Sequence, residues 1–121
     1  MILVDTSVWV DHLHKGAPRL AAALDRGEVL IHPFVLGELA CGNLKNRREV
    51  LRLLGDLPPA PKAEESEALE FIERRALMGR GIGYVDVHLL ASVTLGHNTH
   101  LWTRDRRVAA VAADLKLAYI E

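Results

Sequence analysis

Ile2-Leu3-Val4-Asp5-Thr6-Ser7-Val8-Trp9 places three aliphatic residues, one acid and two hydroxyl residues at the start of the chain. The triplet predicts a short strand buried on both faces, since such strands are apolar without alternation. Thr6 and Ser7 predict the start of a short amphipathic helix reaching residue 13. A strand running straight into a helix is the unit of an α/β layered domain, and the rest of the chain repeats it.

Pro18 predicts the opening of a second helix, which Gly27 closes, because proline suits a first helical turn and glycine a helix end. A strand is expected over residues 28–32. Pro33 then leads a helix over 34–41 that Gly42 ends, and another follows over 47–54. Pro58-Pro59-(x)-Pro61 reads as a loop against a sheet edge. A Glu- and Arg-rich helix is expected over 64–78, glycines at 79, 81 and 83 interrupt it, and a new helix runs from Tyr84 to Leu95. Residues 100–103 predict a strand, 107–116 a helix and 118–120 a last strand. No repeat or low-complexity tract appears.

A chain of 121 residues that is 50% hydrophobic can bury a core without disulfides, which predicts one domain over residues 1–121. The lone Cys41 has no internal bridging partner, no secretion signal is apparent, and a reducing, cytoplasmic setting is expected. No apolar run approaches the roughly 20 residues of a membrane span. The net charge of −1 does not by itself announce a nucleic-acid binder. Arginine nevertheless makes up eleven of the 15 basic residues, clustered at Arg47-Arg48, at Arg74-Arg75 with Arg80, and at Arg104 with Arg106-Arg107. Guanidinium forks suit phosphate, although Arg47-Arg48 reads better as a solvated helix face.

The chemistry shows where acids interrupt apolar patterns, since an ionised carboxylate among hydrophobic groups is costly without a cation or hydrogen bonds. Asp5 ends an aliphatic strand, at the carboxyl end where open α/β sheets form their ligand crevice. The competing duty is a helix cap, which Thr6 and Ser7 could serve instead. Asp86 is followed three, four and seven positions on by Leu89, Leu90 and Val93, which puts its carboxylate on the core-facing side of its helix. Glu38 repeats the pattern with Phe34, Val35 and Cys41. Neither acid has a Lys or Arg at pairing distance along its helix. Asp105, just past a strand, fits a helix cap and a place at the same sheet rim equally well. Thr103 could orient a neighbouring carboxylate there. Carboxylates without Cys or His partners suit a hard ion, Mg2+ or Mn2+ rather than Zn2+, and such ions serve phosphodiester chemistry. The six histidines show no ligand spacing, with His12, His14, His97 and His100 expected at solvent or in ordinary hydrogen bonds.

Ile2 to Trp9, Gly37-Glu38, Tyr84-Val85-Asp86-(x)-His88-Leu89-Leu90-Ala91 and Trp102-Thr103-Arg104-Asp105 together resemble, in order, the PIN-domain ribonucleases, and among them the VapC-type toxins. The resemblance implies a parallel five-stranded sheet flanked by helices. It implies that Asp5 and Asp86 are the principal magnesium ligands, that Glu38 and Asp105 complete the acidic pocket, and that Thr6 and Thr103 assist by hydrogen bonding. It also implies an RNA substrate, a homodimer, and a VapB-type antitoxin whose tail occupies a groove. Where many members carry an aromatic residue three positions after the last acid, this chain has Val108.

Trp9 and Tyr84 are candidates for partial exposure beside the site, where rings can stack on bases, whereas Trp102 reads as core. Cys41 is expected as a small buried hydrophobe, since no activating base accompanies it. Two rival readings remain: a haloacid dehalogenase-type phosphatase, whose second aspartate is replaced here by Ser7, and a non-catalytic α/β binding module whose acids only cap helices.

Overall fold

The computed structural model describes residues 1–121. The elements are β1 (Ile2–Val4), α1 (Thr6–Lys15), α2 (Pro18–Asp25), β2 (Val29–Leu30), α3 (Pro33–Ala40), α4 (Arg47–Gly55), α5 (Glu65–Arg75), α6 (Tyr84–Leu95), β3 (His100–Trp102) and α7 (Arg106–Asp114). The sheet is parallel in the order β2-β1-β3, with Leu3 opposite Leu30 on one side and Leu101 on the other. Central β1 is fully buried, which is why it needs aliphatics at every position.

The five strands implied by the resemblance are not all formed; there are three. The missing two are single parallel bridges on the outer edges, Ile31 to Pro59 and Leu101 to Ala118. On the first edge Ile31 donates to the Pro58 carbonyl at 2.9 Å and Ala60 donates to Ile31 at 2.8 Å. The prolines at 58, 59 and 61 have no N–H to extend that ladder, so pairing stops after one exchange. On the other edge Leu101 donates to Leu117 and Tyr119 donates back to Leu101, and the strand expected over 118–120 goes no further.

Other boundaries move by a few residues. The strand expected over 28–32 shortens to Val29–Leu30, and the helix expected over 64–78 ends at Arg75, where Ala76 turns left-handed with φ of 54°. The expected helix at 107–116 runs over Arg106–Asp114. Such shifts are ordinary for helix ends, which fray.

One cluster of 29 buried apolar residues unites sheet and helices. Every residue of α6 from Val87 to Val93 is buried. A helix apolar all round lies inside a protein, and α6 accordingly packs against both β3 and α5. Val108, standing where an aromatic was the family pattern, is 1% exposed and fills core space beneath α7. No helix is long and apolar enough to cross a membrane.

Candidate active site

Because all strands run the same way, the carboxyl end of β1 and that of β3 meet at one rim, and the chain turns there into α1 and α7. Asp5 stands at the first turn. It occupies the N-cap position of α1, yet its side chain makes no capping bond. Instead Oδ2 accepts from Ser7 Oγ at 2.8 Å and from Thr103 Oγ1 at 2.8 Å, one donor from each side of the rim. Asp5 is 7% exposed, so its carboxylate is held rather than free to swing.

Asp105 stands at the second turn. Its Oδ1 caps α7 by accepting from the Arg107 and Val108 amides at 2.9 and 3.1 Å, while its own N–H donates to Thr103 Oγ1 at 3.1 Å. The capping duty and the place at the rim are therefore both realised. Thr103 ties the two acids together, as donor to Asp5 and acceptor from Asp105.

Asp86 is brought in by the first turn of α6, where its Oδ2 accepts from the Gly83 N–H at 2.8 Å. Leu89, Leu90 and Val93 on its helix face are all at most 2% exposed, and Asp86 is half-buried at the end of that face. Burial, above all, raises its pKa from the usual aspartate value; the Gly83 N–H opposes this, and the negative charges of Asp5, Asp105 and Glu38 add to it. Asp86 thus feels the negative charge of each of the other three acids. None of the four forms an ion pair with a Lys or Arg.

Glu38 corrects the expectation that it lies on the core face of its helix. The buried residues of α3 are Val35 and Leu39, and Glu38 is exposed. With only eight residues, α3 presents little continuous stripe; Phe34 is half-buried, while Glu38 and Cys41 at the helix end are exposed. Glu38 Oε1 there accepts from Thr6 Oγ1 at 2.7 Å, which links α3 to the residue after Asp5. Cys41 likewise is exposed, not buried. Trp9 is 2% exposed, so it packs in the core and offers no stacking face, whereas Tyr84 is 47% exposed and Trp102 is core.

Three residues about the site were not singled out from sequence. Ser7, expected as a helix start or cap and not as a partner of the acids, donates to Asp5 and accepts from the Arg104 N–H at 3.0 Å. Its spacing of two residues from an acid is the signal, since hydroxyls reach such neighbours locally. His32 and His88 are both buried, each packed edge-on with Phe34 at ring-centroid distances of 5.0 and 4.9 Å. Their pairing had no signal in the sequence, since they come from different elements 56 positions apart.

No three His, Cys or carboxylate side chains stand within joint reach of one ion in this arrangement. Magnesium, however, keeps several of its waters and uses only one or two carboxylates directly. Asp5 and Asp86 each engage one oxygen with the protein and leave the other without a protein hydrogen bond. An all-oxygen, uncompensated anionic set of this kind fits a hydrated hard cation and does not fit zinc.

Comparison with known proteins identifies the family. The PIN domain family matches residues 2–114. Ribonuclease VapC32 of Mycobacterium tuberculosis, in strains H37Rv and CDC 1551, is 46% identical over 121 residues, covering 100% of this chain and 98% of that protein. Among solved structures, FitAcB from Neisseria gonorrhoeae superposes with a TM-score of 0.65 at 21% identity, covering 100% of this chain and 97% of that one. FitAB bound to an IR36 DNA fragment gives 0.64 at 20% identity, covering 100% and 98%. These two likenesses concern the fold. With the family matched over nearly its whole length and a relative close to half identical from end to end, the chain belongs to the PIN-domain family and, within it, to the VapC group.

Proposed function

We propose that this protein is a metal-dependent endoribonuclease, the toxin of a VapBC-type toxin-antitoxin pair, with Mg2+ as its ion and Mn2+ as a substitute. The observation that carries the reading is the set Asp5, Glu38, Asp86 and Asp105 gathered around the carboxyl end of the central strand without a single basic partner. Asp5 and Asp86 are the principal ligands, each with an oxygen to spare, and Glu38 and Asp105 complete the negative pocket. When bound, such an ion offsets charge on a phosphodiester and lowers the pKa of water.

The remaining work falls to the chain itself. Thr103 and Ser7 hold Asp5 in one orientation, Thr6 holds Glu38, and the Gly83 N–H holds Asp86, so ligand positions are set before an ion arrives. Asp5 is unsuited to covalent phosphatase chemistry, because the acid that such a route needs two positions later is Ser7, and Ser7 donates its proton to Asp5.

The test is cleavage of RNA by purified protein with and without Mg2+, beside an Asp5→Asn control, followed by sequencing of the ends. Cleavage that persists in chelator, or in Asp5→Asn, would sink the reading. Thr103→Val, which keeps shape but removes both the donor to Asp5 and the acceptor for the Asp105 N–H, is expected to weaken Mg2+ binding about tenfold and to cost about 1 kcal/mol of stability in chelator. A Mg2+ titration followed by melting measures it; an unchanged midpoint would remove Thr103 from the site's support.

The same reading includes a homodimer and a VapB-type antitoxin partner. The surface can accommodate such association, since Val10, Leu13, Leu53, Leu69, Met78 and Leu95 are exposed apolar side chains. Light scattering is expected to give twice the chain mass, with a larger species when the antitoxin is added. A strict monomer that ignores the antitoxin contradicts both parts.

A further inference from the structure

Four carboxylates repel a polyanion, and one divalent ion neutralises only part of that charge, so an RNA backbone needs further positive groups near the pocket. Arg104 is unsuited to this: it is paired with Asp11 at 2.7 Å and with Glu121 at 2.9 Å. Arg107 is different. Its N–H binds the Asp105 carboxylate, and its exposed side chain reaches across to the loop that starts α6. A methyl group built on Gly81 would stand 2.9 Å from Arg107 Cδ and Nη1 and 3.2 Å from Nε. A side chain at Gly81 would push the guanidinium out of this pose, and Gly81 also adopts φ of 79°, which disfavours any other residue.

Two residues beyond Gly81, the Gly83 N–H holds Asp86. The Arg107 side chain therefore runs from the turn that carries Asp105 to the loop that leads into the turn carrying Asp86, and it has no carboxylate partner. Its neighbour Arg80 pairs with Asp114 at 2.7 Å, which fastens the same loop to α7 and keeps Arg107 free of that duty. We propose that Arg107 is a phosphate-binding residue, its fork holding a backbone phosphate of the RNA at the rim of the acidic pocket. A planar fork with no protein counter-ion is suited to bidentate contact with such an oxyanion. The proposal rests on the ribonuclease reading above.

The experiment measures binding of a fluorescein-labelled single-stranded RNA to Asp5→Asn protein in Mg2+, over a series of salt concentrations. Adding Arg107→Met, which keeps an alkyl stem against Gly81, is expected to weaken binding several-fold and to reduce the slope of log affinity against log salt by about 0.7, one phosphate contact on a single strand. Arg107→Lys is expected to keep the slope and lose part of the affinity, because charge remains and the fork does not. Should Arg107→Met fail to fold, the lysine variant alone decides: affinity equal to the parent overturns the proposal. In a folded methionine variant, an unchanged slope overturns it and makes Arg107 a loop clamp only. Wild-type protein run in parallel separates the two readings, since absence of any RNA cleavage refutes the nuclease, whereas cleavage with an unchanged Arg107→Met slope refutes this proposal alone.

Discussion

Asp86→Asn is expected to abolish RNA cleavage while leaving the metal-free protein at least as stable as the wild type. The carboxylate is half-buried, and its raised pKa comes first from burial and then from Asp5, Asp105 and Glu38, with the Gly83 N–H working the other way. A carboxyl whose pKa is raised by folding stabilises the native state while protonated, and that contribution is lost as pH rises through the folded pKa. At neutral pH the ionised group is therefore a cost. Asparagine keeps the shape, still offers an oxygen to the Gly83 N–H and removes one charge from the repelling set. The opposite reading, a structural acid paired with a buried arginine, predicts a loss of about 3 to 5 kcal/mol on breaking the pair. No arginine pairs with Asp86, so the two readings differ in sign. Denaturant midpoints in chelator decide between them. In Mg2+ the wild type is expected to gain stability by linkage and the variant to gain little. A markedly lower midpoint for the variant in chelator, or retained cleavage, would remove Asp86 from the ligand set.

The second large effect is a loss of stability on mild acidification, carried by His32. This residue caps α3: its Nδ1 accepts from the Phe34 N–H at 3.0 Å, and the ring is completely buried with Nε2 lacking a partner. Burial, with smaller contributions from His88 and Lys62, lowers its pKa from 6.5 to about 4. His88, also buried, is lowered mainly by burial, with Lys62 lowering it and Glu65 opposing. A histidine kept neutral by folding takes up its proton more readily in the unfolded chain, so stability is complete above pH 6.5 and falls as pH drops towards 4. The loss attributable to His32 over that window is up to about 3 kcal/mol. His32→Asn keeps a helix-capping acceptor and removes the titrating ring. It should start less stable because of the space it leaves, and its stability should vary less with pH between 4 and 6.5. Urea midpoints of both proteins across that window measure the difference. Equal pH slopes would place the titrating group elsewhere.

Local sequence carries much of this molecule. The unbroken aliphatics before Asp5 could only be a strand covered on both faces, and the α6 range Tyr84–Leu95 follows from its apolar run with glycine at either end. Asp5, Asp86 and Asp105 stood out because each broke a local pattern or ended a strand, and breaking a pattern is a property that sequence itself displays. Tertiary structure decided what depends on neighbours brought from far along the chain. Glu38 was assigned to the buried side of α3, but a short helix has too few positions to define its buried face, and packing of Val35 and Leu39 turned Glu38 outward to Thr6. The outer strands implied by the family reduced to single bridges; at the Pro58-Pro59 edge this follows because edge pairing depends on available N–H groups and the prolines remove them. Thr103 meets Asp5 from 98 positions away, and His88 of α6 meets the His32–Phe34 pair at the start of α3. Hydrogen bonds and ring contacts at such separations follow from chain topology, and no local period records them.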